Sequence, residues 1–222
     1  MELELKPPGV FARFNREELK PLYDIASKVE KDATQYKSMN KILAGNISKQ
    51  IVFDSYYKNF LSTLLDPLLR EHIKEYDYSK SQNFLDADCP IVLTQAWMVL
   101  QEKYEFNPLH CHTGIFSFVI WLKIPYNMQD ELSLPFVAES NTPSAGSFCY
   151  LLSDMLGRNH AHNLVEDNLE ACAFLFPSSM LHCVYPFYTS DEYRISVAGN
   201  YQFVTDEEPT HTTSHSPHSM QY

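Results

Sequence analysis

The chain has 222 residues, and its 28 Asp and Glu outnumber its 17 Lys and Arg, leaving a formal charge of −11 at pH 7. That balance opposes binding to a nucleic-acid backbone, which needs a basic surface to displace counterions, and no uncharged apolar run reaches the ~18 residues that span a bilayer. The opening MELELKPPGV has neither the basic start nor the apolar stretch of a secretory signal, so a cytoplasmic protein free of membranes is expected.

The length suits one domain with one sizeable core. With 14 Tyr and 14 Phe against 6 Gly, the composition favours a sheet protein with bulky inward residues over a glycine-rich nucleotide fold, and neither GxGxxG nor GxxxxGKS/T occurs. Five cysteines, Cys89, Cys111, Cys149, Cys172 and Cys183, fall mostly in apolar strand-like runs without CxxC spacing and are expected to be reduced core thiols.

In chain order, Asn15 is placed to cap a helix carrying Leu19, Leu22, Ile25 and Val29 at helical spacing. A second helical pattern runs from Asp54 to about Tyr76 through Phe60, Leu61, Leu64, Leu65 and Leu68, with Pro67 expected to kink or split it. The texture then changes to short β-rich runs at 91–104, 114–126, 146–153, 171–177 and 193–204, separated by Pro, Asn, Asp and Ser clusters. The predicted fold is mainly β with N-terminal helices. A helical part over about 1–80 packs on a β-barrel core over about 90–204 within one domain, 1–204, followed by a polar, flexible tail at 205–222.

The densest chemical cluster is NPLHCHTG at 107–114. His110 and His112 stand two apart before a strand, so in extended backbone both imidazoles face one cavity while Cys111 faces away. By itself such a pair is more often ordinary hydrogen-bonded histidine than a metal site. His182, just after an apolar strand, and Arg194 and Ser196 on the next one change the weighting. Separate strands supply imidazoles suited to iron, and Arg194 on a neighbouring strand, with Ser196 on the same face, is able to grip a carboxylate in a two-pronged contact. The alternative for Arg194 is a plain ion pair; Ile195 and Val197 alternating around Ser196 mark instead a strand with one polar face.

These motifs in this order, with FPSSMLHCVYPF followed by YRIS, resemble the C-terminal halves of iron(II)/2-oxoglutarate-dependent oxygenases. NPLHCHTGIFSFVIWLKIPY and YRISVAGN are similar, more narrowly, to small oxygenases of marine bacteriophages and bacteria. The resemblance covers roughly residues 90–204 and leaves out the N-terminal helices. It implies a double-stranded β-helix (jelly roll), Fe(II) and 2-oxoglutarate as cofactors, O2 as co-reactant and hydroxylation of a small-molecule or peptidyl substrate, in the host cytoplasm if the chain is phage-encoded. The usual first motif of that family is His-x-Asp or His-x-Glu, and two registers remain open. In one, His110 is the first ligand and His112 stands at the carboxylate position, giving three histidines. In the other, His112 leads and Gly114 occupies the carboxylate position, resembling the aspartyl/asparaginyl β-hydroxylases. His112 and His182 are ligands under the favoured reading, with His110 a third ligand or a neighbour.

Asn107 and Ser117 flank the site as candidate contacts to the keto acid, although Asn before Pro is ordinary turn chemistry. Trp121 and Phe118 read as core. His160 and His162 fall in a segment read as a solvated loop, and His211, His215 and His218 lie in the tail. Two alternatives stand beside the oxygenase: a cupin-type metalloenzyme, which also begins with H-x-H but has no use for Arg194 and Ser196, and a non-catalytic jelly-roll binding or virion protein. Iron-dependent binding of 2-oxoglutarate separates them. The substrate and the oligomeric state are not legible.

Overall fold

The run Phe116–Lys123, FSFVIWLK, is apolar at nearly every position because both of its faces are buried. Phe116, Phe118, Ile120 and Leu122 point one way into the main core, whereas Val119 and Trp121 point the other way into a second cluster. This alternation places two packed layers on one strand. In the computed structural model, which describes residues 2–6, 9–76, 90–164 and 169–204, the strand sits in the middle of a seven-stranded antiparallel sheet. With β1 (Glu2–Lys6), β2 (Gly9–Arg13), β3 (Lys49–Val52), β4 (Ile91–Gln101), β6 (Phe116–Lys123), β9 (Cys172–Pro177) and β11 (Arg194–Phe203), the order is β1-β2-β9-β6-β11-β4-β3. A four-stranded antiparallel sheet faces it, formed by β5 (Asn107–His110), β10 (His182–Val184), β7 (Phe148–Ser153) and β8 (Asn159–Leu164) in the order β5-β10-β7-β8. The two sheets make the jelly roll expected from the sequence.

Two helices cover the outer face of the large sheet. In α1 (Lys20–Lys31), Leu22, Ile25 and Val29 are buried at helical spacing; in α2 (Ser55–Tyr76), Leu61, Leu65, Leu68 and Leu69 join the same core. Burying each such leucine contributes about 1.5–3 kcal/mol. Asn15 and Glu18 exchange side-chain and backbone hydrogen bonds at 2.8 and 2.9 Å, the reciprocal arrangement of a capping box. They close the turn ahead of α1, which starts later, at Lys20, with Leu19 as its cap. Pro67 does not split α2, which continues to Tyr76. Buried leucines on both sides of the proline offset the ~3 kcal/mol an interior proline costs.

The first third is less helical than expected, since β1, β2 and β3 all join the large sheet. Of the cysteines, Cys149 and Cys172 are buried and Cys183 is partly so, but Cys111 is exposed rather than in the core, because it faces away from His110 and His112. Cys111, Cys149 and Cys183 are free thiols. Trp121 and Phe118 are core residues as read. No described helix is long and apolar enough to cross a membrane. Cys89, the tail and its His211, His215 and His218 lie outside the described residues.

Candidate metal centre

The four-stranded sheet and the turn that follows β5 bring the predicted histidines together. His110 ends β5, and its Cα partner across the strand pair is His182, the first residue of β10. His112 lies two residues beyond His110, where its backbone N–H donates to the Ser178 carbonyl at 2.9 Å. Ring centroids are 4.3 Å apart for His110 and His182, 4.9 Å for His110 and His112, and 5.0 Å for His112 and His182. One nitrogen from each lies within 4.8 Å of the others, and no carboxylate among the described residues joins them.

The donor set fits a metal ion. The Nδ1–H of His110 donates to the Pro108 carbonyl at 2.7 Å, and that of His182 to the Met180 carbonyl at 2.9 Å. A carbonyl only accepts, so both rings hold their proton on Nδ1 and present the Nε2 lone pair, the second hydrogen bond that orients ligating histidines. Burial lowers the pKa of all three imidazoles, that of His112 to about 3 and that of His182 well below its ordinary value, and the neighbouring rings lower these two further. They are neutral at pH 7, the form that ligates. Two metal–nitrogen bonds of ~2.1 Å span at most ~4.2 Å, so small rotamer adjustments suffice to close the cluster on an ion. Phe148, stacked on His182 at 5.5 Å, Phe176 at 5.0 Å and Trp97, 5.8 Å from His112, wall the cluster with apolar rings.

The HTG turn is fixed from below by Ser178, Ser117 and Asn200. Ser178 is fully buried; its hydroxyl meets that of Ser117 at 2.9 Å, and Ser117 donates to Asn200 Oδ1 at 2.8 Å. The Ser117 hydroxyl is therefore engaged in a network that anchors the His112 loop. Gly114 has φ of +125°, and a Cβ there would come within 2.6 Å of the Tyr201 carbonyl. The position that one register reserves for a carboxylate thus has no room for a side chain. Asn107, on β5 opposite Val184, packs its side-chain oxygen against Gly45.

Arg194 opens β11 opposite Gln101 and is buried, 5% exposed. Its five N–H groups are all engaged: Nε and Nη2 donate to Gln101 Oε1 at 3.2 and 2.6 Å, Nη1 to the Tyr126 hydroxyl at 2.6 Å and the Gly146 carbonyl at 2.7 Å, and Nη2 to the Tyr185 carbonyl at 3.1 Å. Every one of these acceptors is neutral. Burial keeps the Tyr126 hydroxyl protonated, raising its pKa despite the adjacent guanidinium, and it donates to Gly146. The buried Glu131 nearby directs its carboxylate to the Tyr188 and Thr189 N–H groups and the Thr189 hydroxyl. Ser196 follows two residues after Arg194 on the same strand face, with Val99 and Trp121 as its strand partners. Tyr185, whose carbonyl accepts from Arg194, stands three positions past His182, about 10 Å along the chain at strand rise.

His160 and His162 are not in a loop: they lie on β8, exposed, and the His162 ring stacks on Tyr150 at 5.2 Å and 12°.

The profile of a family described as "Putative 2OG-Fe(II) oxygenase" matches residues 95–200, a span that contains His110, His112, His160, His162 and His182, together with Arg194 and Ser196. Among solved structures, a prolyl-4-hydroxylase of Pseudomonas putida is similar with a TM-score of 0.53 and 15% identity, over 88% of this chain and 93% of that one. An oxidoreductase of the 2OG-Fe(II) oxygenase family from Burkholderia pseudomallei reaches 0.50 at 12% identity, over 88% and 84%. A prolyl 4-hydroxylase of Phytophthora capsici reaches 0.51 at 14%, over 91% and 61%. At these identities the likeness is one of fold. No protein of curated function matches the sequence.

Proposed function

Since the chain carries a 2OG-Fe(II) oxygenase domain at residues 95–200 and is an oxygenase with Fe(II) and 2-oxoglutarate as its cofactors, we propose that His110, His112 and His182 hold the iron and that Arg194, with Ser196, receives the distal carboxylate of 2-oxoglutarate. The overall reaction takes 2-oxoglutarate, O2 and a substrate C–H to succinate, CO2 and the hydroxylated product, with a peptidyl or small-molecule substrate. Iron supplies the reactivity toward O2; the chain supplies geometry and exclusion of water.

One observation carries the reading: a buried guanidinium whose acceptors among the described residues are all neutral bonds the Tyr185 carbonyl, three positions along the chain from His182 and its cluster of converging neutral imidazoles. A buried charge is costly unless paired, and both ends of this gap are cationic once a metal is bound. A dicarboxylate answers both. Its entry exchanges a neutral acceptor of Arg194 for a charged one, a contact roughly twice as strong; Gln101, which takes two of the five N–H groups, is the partner whose side chain is able to turn away. The histidines are neutral at pH 7, so each presents one imidazole lone pair without competition from a second proton. A cupin-type reading shares the histidine cluster but gives Arg194 and Ser196 no task.

Anaerobic titration of the Fe(II)-loaded protein with 2-oxoglutarate tests the assignment. A weak visible charge-transfer band that saturates with 2-oxoglutarate is expected, and it should be absent without iron. Bound iron with no 2-oxoglutarate-dependent band overturns the proposal.

A further inference from the structure

The strand β7 arranges three features in line. At its start, the Gly146 carbonyl accepts from Arg194. Tyr150 then stands directly across from His182, in the row that continues His110, His182, Tyr150, His162 across the four-stranded sheet. Five residues beyond Tyr150, about 16 Å at strand rise, the β7–β8 hairpin turns at 154–157. The co-substrate end and the hairpin tip therefore lie on opposite sides of the metal row.

That tip is built to present apolar side chains. Met155 is fully exposed and Leu156 is 77% exposed. They are not exposed because the turn is loose: Asp154 accepts from the Leu156 and Arg158 backbone N–H groups at 2.8 and 3.0 Å and from Arg158 Nε at 2.8 Å, while His160 Nε2 lies 3.1 Å from it. Gly157, at φ +75°, completes the turn. An ordered turn that holds two large apolar groups in water, on a hairpin whose strand β8 is otherwise polar, marks a contact surface. At the edge of the histidine row, the exposed face of His162, backed by Tyr150, offers a stacking platform.

We infer that the β7–β8 hairpin, from Tyr150 and His162 to the tip at Met155 and Leu156, binds an extended polypeptide substrate whose oxidised residue lies at the histidine cluster. The inference rests on the oxygenase reading and narrows its substrate class. A free amino acid or small metabolite held at the metal has no use for an apolar contact about 16 Å away. A nucleic acid is disfavoured by the −11 charge of the chain. An extended chain spans the distance in about five residues.

The test uses the full chain loaded with Fe(II) and 2-oxoglutarate, a randomised dodecamer peptide library, and mass spectrometry to find peptides that gain one oxygen. Oxidised peptides are expected to share an apolar residue about five positions from the oxidised one. The Met155→Ser/Leu156→Ser double variant should lose that preference and raise KM for a selected peptide about tenfold or more, with kcat retained. Its melting temperature and its anaerobic 2-oxoglutarate band should match those of the parent, which separates loss of the surface from misfolding. His162→Ala should raise KM through loss of stacking at the residue beside the oxidised one. No oxidised peptide from a protein that shows the 2-oxoglutarate band overturns the polypeptide inference while leaving the oxygenase reading standing. So does a double variant with unchanged KM and preference, or faster oxidation of free amino acids or of an oligonucleotide. Absence of the band itself is the separate failure of the oxygenase reading.

Discussion

Replacing Arg194 by Met removes the charge and the fork while keeping much of the side-chain volume. Two consequences follow from the contacts. Gln101 Oε1 and the Tyr185 carbonyl lose their donors, at about 1–3 kcal/mol each for buried acceptors left unpaired, partly offset because a buried charge no longer has to be accommodated. The Gly146 carbonyl keeps the Tyr126 hydroxyl. At 2–4 °C per kcal/mol for a chain of this size, the two losses set an upper bound of about 4–24 °C on the fall in melting temperature. The ligand loses more. Truncating one member of a buried charge pair costs about 2–5 kcal/mol, so the Kd for 2-oxoglutarate should rise by roughly 30-fold to several thousand-fold. Iron affinity should stay within about twofold, as for well-separated sites, because no imidazole is touched. Separate anaerobic titrations with Fe(II) and with 2-oxoglutarate, alongside thermal denaturation, read the three quantities. A folded variant whose 2-oxoglutarate affinity changes by less than about threefold would show that Arg194 is a strut between β11, β4 and the Gly146 turn, and would remove the anion cradle from the proposal.

With the tail residues His211, His215 and His218 changed to Ala so that they hold no iron, His110→Ala, His112→Ala and His182→Ala should each weaken Fe(II) binding beyond the ~10–100-fold typical of losing an outer-shell partner; calorimetric titration checks this, and a His110 variant that binds as the parent does would reduce the site to two histidines. Gly114→Ala and Gly114→Asp should each destabilise the fold by more than the ~1–3 kcal/mol of a strained backbone, since a Cβ meets the Tyr201 carbonyl; restored iron binding in a His112→Ala/Gly114→Asp double variant would refute this account of the turn. In the metal-free protein, the unfolded chain takes up protons near the ordinary histidine pKa of ~6.5 that the folded chain refuses down to about 3 at His112. Stability should therefore rise with pH across that window and fall on acidification below ~6.5, by about 1.4 kcal/mol per pH unit for His112 alone. A melting temperature that stays flat between pH ~5 and ~6.5 would contradict the burial argument.

The strands that carry the core were legible because burial writes a dense apolar and β-branched pattern: 91–104, 114–126, 171–177 and 193–204 each contain the strand observed. The strands that were missed have a different physical basis. β3 is four residues long, and β5 includes a proline, so neither sustains a period-2 pattern. β8, NHAHNL, is an edge strand largely open to solvent, and it lacks the apolar signal by which strands are recognised. Its polarity made His160 and His162 look like loop residues when both lie on a strand and His162 continues the row of His110 and His182. In the site, the histidines and Arg194 were visible through local spacing, but Gln101, Tyr126, Gly146 and Ser178 were not. Gln101 becomes a partner of Arg194 only through the register of β4 with β11, 93 residues apart in sequence, and no local pattern encodes that pairing.

The choice between the two registers is settled in favour of neither by spacing, since His110 and His112 are equally compatible with a ligand at the first position. Geometry and charge bear on it differently. All three imidazoles are gathered within ligand distance, while Gly114 has a backbone that excludes a side chain. A divalent ion held by three neutral imidazoles keeps its full charge, whereas a carboxylate ligand would cancel half of it. Arg194 is likewise surrounded by neutral acceptors among the described residues. The chain therefore leaves positive charge at both ends of the gap, and the compensating negative charge has to arrive with the ligand. Affinity for a dicarboxylate should then depend on both ends at once: a monocarboxylate keto acid that reaches the metal but not Arg194 should bind the wild type more weakly than 2-oxoglutarate by about the factor that Arg194→Met imposes, and should bind wild type and variant alike.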